Sequence, residues 1–390
     1  MTTGVERSQV AREAADALEA LREQGRLPQA LVGFDGFVDE IIHVVDKRRT
    51  MTPGDFDRIG TIPEFAARVA AAAGKSANIE LCVREARYGG NGPLMGGALG
   101  RLGAPVTFIG AVGSKDDPGA IDPIYAPFAQ RCETVIPIAP PAHTDALEFT
   151  DGKIMLGKPL NVQGIDWDRV KQVVGLERMR ELCEGADLIG VTNWVMLGGV
   201  ESIWEGLRDE VFPALTPRPR RFMVDLSDPA KRTDADIIRA MGILRTIDAK
   251  TPVTLGLNLA ESQRIAKVMG LGIYDDSSNY SLGALVRRAA EALRETLGLD
   301  TVVVHPREGA GGANTKGSAW YAGPFTQNPK LSTGAGDHFN GGFAFAQAGG
   351  LELDQCLATG CAVSGAYVRD ALSPDLARLI GFLRDLPEPD

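Results

Sequence analysis

The stretch of the chain best suited to chemistry is a short glycine-rich run that contains one carboxylate. Gly334, Ala335 and Gly336 precede Asp337, and apolar residues at helical spacing follow. Small residues at a helix start leave backbone N–H groups free, and with the helix dipole these groups bind phosphate oxygens. A carboxylate beside such an anion site can take the proton of an incoming hydroxyl during phosphoryl transfer. The stretch alone also fits a simpler role, in which Asp337 only caps a helix.

Two other stretches carry polar groups that could bind a ligand. Residues 89–92 form a second glycine-rich run, which contains Gly90 and Asn91 and leads into a helix. Two acids, Asp35 and Asp39, follow the first apolar strand. Open α/β sheets bind ligands in the crevice at the carboxyl ends of their strands, so these groups suit a polyhydroxylated ligand.

Two glycine-rich segments resemble nucleotide-binding motifs but do not complete them. Residues 73–76 (Ala-Gly-Lys-Ser) look like the end of a Walker A loop, yet Val69 stands where that motif needs glycine. Residues 309–314 lack the last glycine and the following helix of a dinucleotide fingerprint. The first segment is therefore predicted to be a helix terminus and the second a flexible loop.

Brief apolar strands alternate with helical patterns along most of the chain. Strands are predicted at 30–37, 106–112, 187–191, 221–226, 253–257 and 301–304, and helices at 5–24 and 282–297. Such alternation is typical of a mostly parallel sheet with helices on both faces. Segment 133–160 differs, because apolar runs flank Asp151-Gly152 and predict a hairpin. That hairpin, with part of residues 35–55, is expected to form a small β-rich lid.

The composition of the chain excludes several classes of protein. Its 390 residues include 41 basic and 51 acidic side chains, a formal charge of −10, which argues against a nucleic-acid partner. The five cysteines form no CxxC pair and are expected to be free thiols in a reducing compartment. No apolar run reaches the roughly 20 residues of a membrane span, and no signal core begins the chain. We therefore expect a cytoplasmic protein with no membrane partner.

Taken in order, these stretches resemble the ribokinase/PfkB carbohydrate kinase family over roughly residues 30–370. Residues 334–337 with Asn340-Gly341 look like its C-terminal signature, and residues 89–92 look like its di-glycine signature. Asn258 and Glu261, directly after an apolar strand, match its Asn-x-x-Glu motif. The resemblance implies a ribokinase-like three-layer α/β sandwich with a mostly parallel central sheet and a small β-rich lid. A helical extension at 1–29 would precede a kinase domain at 30–386, with the lid insert around 133–160.

The resemblance also implies a role for each matching position. Asp337 corresponds to the catalytic base, and the three residues of the anion hole are Gly334, Ala335 and Gly336. The acceptor would be bound by four residues, namely Asp35, Asp39, Gly90 and Asn91. Magnesium would be supported through water by Asn258 and Glu261. Three residues occupy the region of the nucleotide loop without matching its motif, and they either contact the nucleotide or only shape the loop: His305, Arg307 and Gly309.

The implied activity is transfer of the terminal phosphoryl group of a nucleotide to a hydroxyl of a sugar or related polyol. Mg²⁺ is the implied cofactor and ATP the implied donor, with ADP left open. Leu331 replaces an acid of the signature and His338 stands where threonine is common, so a monovalent-cation site is not carried over. The alternatives are an inactive sugar or nucleoside sensor, a kinase for a nucleoside or vitamin precursor, and an ADP-dependent sugar kinase. Lids in this family often form dimer interfaces, so a homodimer is expected.

Overall fold

A computed structural model describes residues 4–275 and 277–390 of the chain. The helices are α1 Gly4–Glu23, α2 Ile62–Ala70, α3 Asn91–Arg101, α4 Ala126–Ala129, α5 Leu160–Gln163, α6 Trp167–Val173, α7 Leu176–Gly185, α8 Val200–Gly206, α9 Asp234–Asp248, α10 Leu259–Val268, α11 Leu282–Leu297, α12 Ala335–Ala348, α13 Leu353–Asp370 and α14 Leu376–Arg384. The strands are β1 Ala30–Phe34, β2 Phe37–Arg48, β3 Phe56–Arg58, β4 Leu81–Gly89, β5 Val106–Gly110, β6 Thr134–Pro137, β7 Ala142–Phe149, β8 Gly152–Lys158, β9 Leu188–Val191, β10 Arg221–Asp225, β11 Val253–Leu257, β12 Thr301–Val304, β13 Gly309–Asn314 and β14 Gly317–Ala322.

The central sheet has nine strands in the order β14-β13-β12-β11-β10-β9-β1-β5-β6. Seven neighbouring strands of this sheet run parallel, namely β6, β5, β1, β9, β10, β11 and β12. Strands β13 and β14 continue the sheet as antiparallel strands. The apolar, β-branched runs predicted as buried strands occupy its middle, where helices cover both faces. The predicted three-layer α/β fold with a mostly parallel sheet is confirmed.

Successive strand residues point to opposite faces of the central sheet and separate two apolar cores. In β12, Val302 and Val304 belong to one core, together with α6 to α11, and Val303 belongs to the other. That second core contains the buried faces of α1, α3, α12, α13 and α14. The helices that carry the glycine-rich runs, α3 and α12, therefore pack side by side on one face of the sheet.

A second, smaller sheet forms the lid, by which we mean strands β2, β3, β4, β7 and β8. Its own core contains Ile42, Val44, Ile59, Leu147 and Phe149. The predicted hairpin at Asp151-Gly152 is present as β7 and β8. Residues 134–137 were expected in the lid, but as β6 they pair with β5 in the central sheet. The β4 strand was not predicted, because most of its side chains are exposed and several are charged.

Residues 309–314 were predicted to be a flexible loop, and this prediction is wrong. They form β13, which pairs with β12 on one side and β14 on the other. Its glycines are required by close packing rather than by flexibility. A Cβ at Gly311 would lie 2.8 Å from the Val286 side chain in α11, and one at Gly309 would lie 2.3 Å from the Tyr321 carbonyl oxygen.

The first helix, α1, packs against α13 and α14. Its residues Val10, Ala14 and Leu18 are buried, as their helical spacing predicts. The boundary proposed between residues 29 and 30 stays a prediction. Within residues 4–275 and 277–390, neither α1 nor any other helix is long and apolar enough to cross a membrane.

Candidate active site

A cavity of about 530 Å³ lies where the carboxyl ends of β10, β11 and β12 meet the beginning of α12. Open α/β sheets place their ligand sites at this edge. Nine of the residues singled out in the sequence line it: Asn91, Asn258, Glu261, His305, Arg307, Gly309, Ala335, Gly336 and Asp337. Stretches that lie far apart in the sequence thus converge on one cavity.

The first turn of α12 presents unpaired backbone donors. Gly334 is its N-cap, with φ +85°, a left-handed conformation that favours glycine. Among the described residues, the amides of Gly334, Gly336 and Asp337 donate to no acceptor, as is usual in a first helical turn. The Ala335 amide differs, because it donates to the Ser332 carbonyl at 3.2 Å. This end of α12 can therefore receive an anion.

Asp337 lies at the base of the cavity with only 8% of its surface exposed. The Asn91 side-chain amide donates to its Oδ1 at 2.8 Å, and the Ser227 hydroxyl donates to Asn91 Oδ1 at 3.2 Å. No donor within the described residues reaches Asp337 Oδ2. One carboxylate oxygen is thus held in place while the other is free to accept a proton.

Acidic side chains surround Asp337 and repel one another. Burial raises the pKa of Asp225 to about 8, and the negative charge of Glu261 adds to that rise. Burial, followed by the charge of Asp225, likewise raises the pKa of Asp337 well above its usual value. The Asn91 hydrogen bond opposes this rise, because it stabilises the ionised carboxylate. A bound cation would therefore lower both pKa values and favour the ionised carboxylates.

Asp35 lies beneath the start of α3 and does not line the cavity. Its carboxylate accepts the backbone amides of Asn91 at 2.9 Å and Gly92 at 2.7 Å, and the Asn193 side-chain amide at 2.7 Å. The side chain is fully buried, and this burial raises its pKa to about 6. Its contacts fix the chain at Asn91, which in turn contacts Asp337.

Asp39 and Gly90 also lie outside the cavity lining. Asp39 is on β2 of the lid, where burial raises its pKa and a hydrogen bond with Thr144 opposes the rise. Gly90 is the N-cap of α3 with φ +100°, and a Cβ there would lie 3.2 Å from an oxygen of Asp35. The lid residue Asp39 and the α3 start are both next to Gly89, which joins β4 to α3.

Asn258 and Glu261 form a capping box at the start of α10. The Glu261 carboxylate accepts the backbone amides of Asn258 at 2.8 Å and Asp228 at 3.0 Å. No cluster of three or more acidic, His or Cys side chains suited to a bare metal ion occurs in the part of the chain that the structure describes. The acidic donors are hard oxygens, which fit Mg²⁺ with part of its hydration shell retained.

His305 and Arg307 shape the opposite side of the cavity. His305 is partly exposed, and its ring stacks on Phe339 with centroids 4.6 Å apart. Desolvation by the surrounding protein lowers the pKa of His305 to about 4. The neutral ring therefore contributes no positive charge. The Arg307 guanidinium lies over the Phe325 ring at 5.3 Å. Apolar side chains complete this side, including Pro324, Phe325, Cys361 and Val368.

Three polar residues that line or support the cavity were missed in the sequence, namely Asp225, Ser227 and Asn193. Asp225 is the last residue of β10 and Ser227 follows that strand, much as Asn258 follows β11, so their position at the end of an apolar strand was the available signal. Asn193, with φ +65°, stands two residues after the end of β9, so the same signal was available there. Asn340 was recognised as part of the C-terminal signature without a role, and it donates to Asp225 at 2.7 Å from the second turn of α12.

Comparisons with known proteins agree with this geometry. Residues 7–386 match the family model of the prokaryotic ketohexokinases. A ketohexokinase of Haloferax volcanii is 29% identical over 378 residues, which cover 95% of each chain.

Solved structures share the fold at low sequence identity. A phosphofructokinase-2 mutant from Escherichia coli has a TM-score of 0.60 at 14% identity and covers 92% of this chain and 99% of its own. A ribokinase of Arabidopsis thaliana, solved with ribose and ATP, has a TM-score of 0.58 at 15% identity with the same coverage. A carbohydrate kinase from Agrobacterium tumefaciens has a TM-score of 0.61 at 18% identity and covers 93% of this chain and 99% of its own. From the family match and the relative that spans nearly all of it, the chain belongs to the prokaryotic ketohexokinase family and is a sugar kinase that transfers phosphate from a nucleotide.

Proposed function

We propose that the enzyme phosphorylates a ketohexose with ATP as donor and Mg²⁺ as cofactor, and that Asp337 is the catalytic base. One observation carries the assignment of Asp337. Its side chain, in the first turn of α12, lies beside unpaired backbone amides and accepts a hydrogen bond from Asn91. The name of the Haloferax volcanii relative supports a ketohexose acceptor. The same comparison weighs against an inactive sensor and against a nucleoside or vitamin-precursor acceptor.

Asp337 takes the proton of the acceptor hydroxyl as that oxygen attacks the terminal phosphorus of the nucleotide. The new P–O bond forms while the bond to the leaving nucleotide breaks, and charge spreads over the three other phosphoryl oxygens. The free amides of Gly334 and Gly336 can donate to those oxygens. The Ala335 amide joins them if its long bond to Ser332 opens. Preorganised donors of this kind lower the barrier without reorganising during the reaction.

On the acceptor side, Asn91 is both a ligand for the sugar and the partner that orients Asp337. Asp39 in the lid lies next to Gly89, which directly precedes Gly90, so we expect Asp39 and the backbone at Gly90 on the same side of the sugar. We assign Asp35 a supporting role instead of direct contact, because its oxygens already accept three hydrogen bonds. Closure of the lid over the sugar would exclude water, whose attack would waste the nucleotide.

Magnesium is supported by the acidic side of the cavity. Both oxygens of Glu261 accept backbone amides, so we expect Glu261, Asn258 and Asp225 to hold the hydrated ion largely through water. When bound, Mg²⁺ supplies positive charge that neutralises the phosphate oxygens. That charge would also lower the raised pKa of Asp337, which favours the ionised base.

The nucleotide is expected along His305, Arg307 and Gly309, with its base against the apolar side of the cavity. Arg307 is a cationic side chain that lines the cavity and is expected to bind phosphate oxygens. The Phe325 ring, over which Arg307 lies, is expected to contact the base. A homodimer through the lid also stays a prediction. It is supported by exposed apolar side chains on the lid strands, Val83, Met155 and Leu156.

A substrate panel tests the proposed function. The purified protein is incubated with ATP or ADP, with and without Mg²⁺, and with ketohexoses, aldohexoses, pentoses and nucleosides. Sugar phosphate is detected by ³¹P NMR. We expect a ketohexose with ATP and Mg²⁺ to give the highest kcat/KM and the Asp337→Asn variant to give little product. Preference for an aldohexose, a nucleoside or ADP would contradict the assignment of acceptor or donor.

A further inference from the structure

The loop before α12, residues 331–334, and the first helical residue, Ala335, separate two cavities. Ser332 and Ala335 line the cavity of about 530 Å³ that contains Asp337. Leu331, His338 and Tyr367 line a second cavity of about 300 Å³ on the other side. This loop carries the free amide of Gly334 and leads into those of Gly336 and Asp337, and its other side faces the second cavity.

Two side chains on that second side donate to carbonyl oxygens of the loop. The Tyr367 hydroxyl donates to the Thr333 carbonyl at 2.8 Å, and His338 Nδ1 lies 2.8 Å from the Gly334 carbonyl. A carbonyl oxygen only accepts, so Nδ1 must carry the proton. His338 Nε2, 2.7 Å from the Ser373 hydroxyl, then accepts that donor. We call His338, Tyr367 and Ser373 the clamp.

The clamp is buried and its rings are in close contact. The rings of His338 and Tyr367 stack with centroids 3.6 Å apart and an interplanar angle of 13°. All three residues are buried, with His338 only 1% exposed. Burial also lowers the pKa of His338 to about 4, so its ring stays neutral throughout the neutral pH range.

The clamp determines where the loop amides point. In a planar trans peptide, the carbonyl and the following N–H point in opposite directions. The Thr333 carbonyl points toward the second cavity, where it accepts the Tyr367 hydroxyl. The Gly334 N–H of the same peptide is therefore directed away from that cavity. The Gly334 carbonyl accepts the His338 backbone amide at 3.0 Å as well as His338 Nδ1, and together these bonds fix the next peptide, which contains the Ala335 N–H. Orientation of such donors before the reaction is what stabilises a transferring phosphoryl group.

We propose that the clamp holds this loop in the geometry needed for phosphoryl transfer and does so in place of a bound monovalent cation. His338 and Tyr367 are thus positioning residues that do not touch the substrate. A cation at this loop would need its carbonyl oxygens, but those of Thr333 and Gly334 already accept side-chain donors. Leu331, where the related signature has an acid, offers no negative charge. The inference rests on the proposed role of residues 334–337.

The Tyr367→Phe variant tests the proposal, because it removes the hydroxyl and keeps the stacked ring. We expect kcat to fall about 10- to 100-fold, the usual consequence of a small misplacement of catalytic groups. The KM for both substrates and the midpoint of thermal unfolding should stay close to wild type. Tyr88→Phe is the matched control, since the Tyr88 hydroxyl contacts Arg131 and not the loop. Its kcat should be unchanged.

The second arm measures wild-type kcat in potassium, sodium and tetramethylammonium salts at equal ionic strength. Equal values support the proposal, and a several-fold requirement for potassium would overturn it. Normal kcat in Tyr367→Phe would also overturn it, as would a loss of kcat that tracks a loss of thermal stability. Asp337→Asn separates the two levels of inference. If that variant is inactive while Tyr367→Phe is normal, only the clamp fails, whereas an active Asp337→Asn refutes the proposed base itself.

Discussion

Replacement of Asn91 by alanine tests whether this side chain tunes the base. Its amide is the one side-chain donor to Asp337 within the described residues, at 2.8 Å. The bond favours the ionised form of a carboxylate whose pKa burial has already raised. Without it, the pKa of Asp337 must rise further. Because the base works only when ionised, the acidic limb of the pH–kcat profile should move to higher pH.

The size of the shift follows from the strength of the lost contact. A hydrogen bond to a charged group contributes about 1.5–3 kcal/mol. One pKa unit corresponds to about 1.4 kcal/mol, so the acidic limb should move up by about 1–2 pH units. The assay is kcat measured between pH 5.5 and 9 with saturating substrates and Mg²⁺.

The control for this experiment is Ser227→Ala. It removes the hydroxyl that donates to Asn91 Oδ1 but leaves the amide bond to Asp337 in place. Its acidic limb should stay at the wild-type position. An Asn91→Ala enzyme whose KM for sugar rises while its limb does not move would refute the reasoning, because Asn91 would then act only as a sugar ligand.

Two further variants test the charge and the backbone of the site. Asp225 has a pKa of about 8 in the folded protein, so the stability linked to its protonated form is complete below about pH 4, its unfolded value, and is lost as pH rises toward 8. Chemical denaturation without Mg²⁺ or nucleotide should therefore show that Asp225→Asn is more stable than wild type at pH 8. The gain should be at least about 1.4 kcal/mol, the value of one pKa unit, and should be smaller at pH 5. Equal gains at both pH values would contradict this reasoning. Gly334→Ala and Gly350→Ala each place a Cβ at φ +85°, which costs about 1–2 kcal/mol of stability. The new Cβ of Gly334→Ala would lie 3.1 Å from Leu94 and 3.3 Å from the Tyr367 hydroxyl. We therefore expect only Gly334→Ala to lower kcat as well. Equal losses of kcat in both variants would argue against a role for the loop.

The sequence predicted those features that depend on local pattern. Apolar strands such as 253–257 and 301–304 were located to the residue, because buried parallel strands are continuous apolar runs. The start of α12 was recognised from its glycines and single acid. Two glycine-rich runs, 89–92 and 334–337, and the Asn258–Glu261 motif were recognised by their family order. The structure brings residues of all three to one cavity.

Features that depend on tertiary contact could not be predicted in the same way. The strand at 309–314 has glycines because α11 and β14 pack closely against it, and nothing local distinguishes that from a loop. Asp35 and Asp39 look alike in the sequence, yet one is buried under α3 and the other lies in the lid. The clamp joins residues 333, 338, 367 and 373, which come together only when α12 and α13 pack.

The role of Asp337 is tested most directly by kcat of the Asp337→Asn variant, measured beside nucleotide binding by calorimetry. A positioned general base contributes about 10²- to 10⁴-fold to the rate, so kcat should fall by that factor. The Kd for nucleotide should change little, because the amides of the α12 start remain. Turnover within a few-fold of wild type, with ketohexose and ATP at saturation, would contradict the assignment of Asp337 as the base.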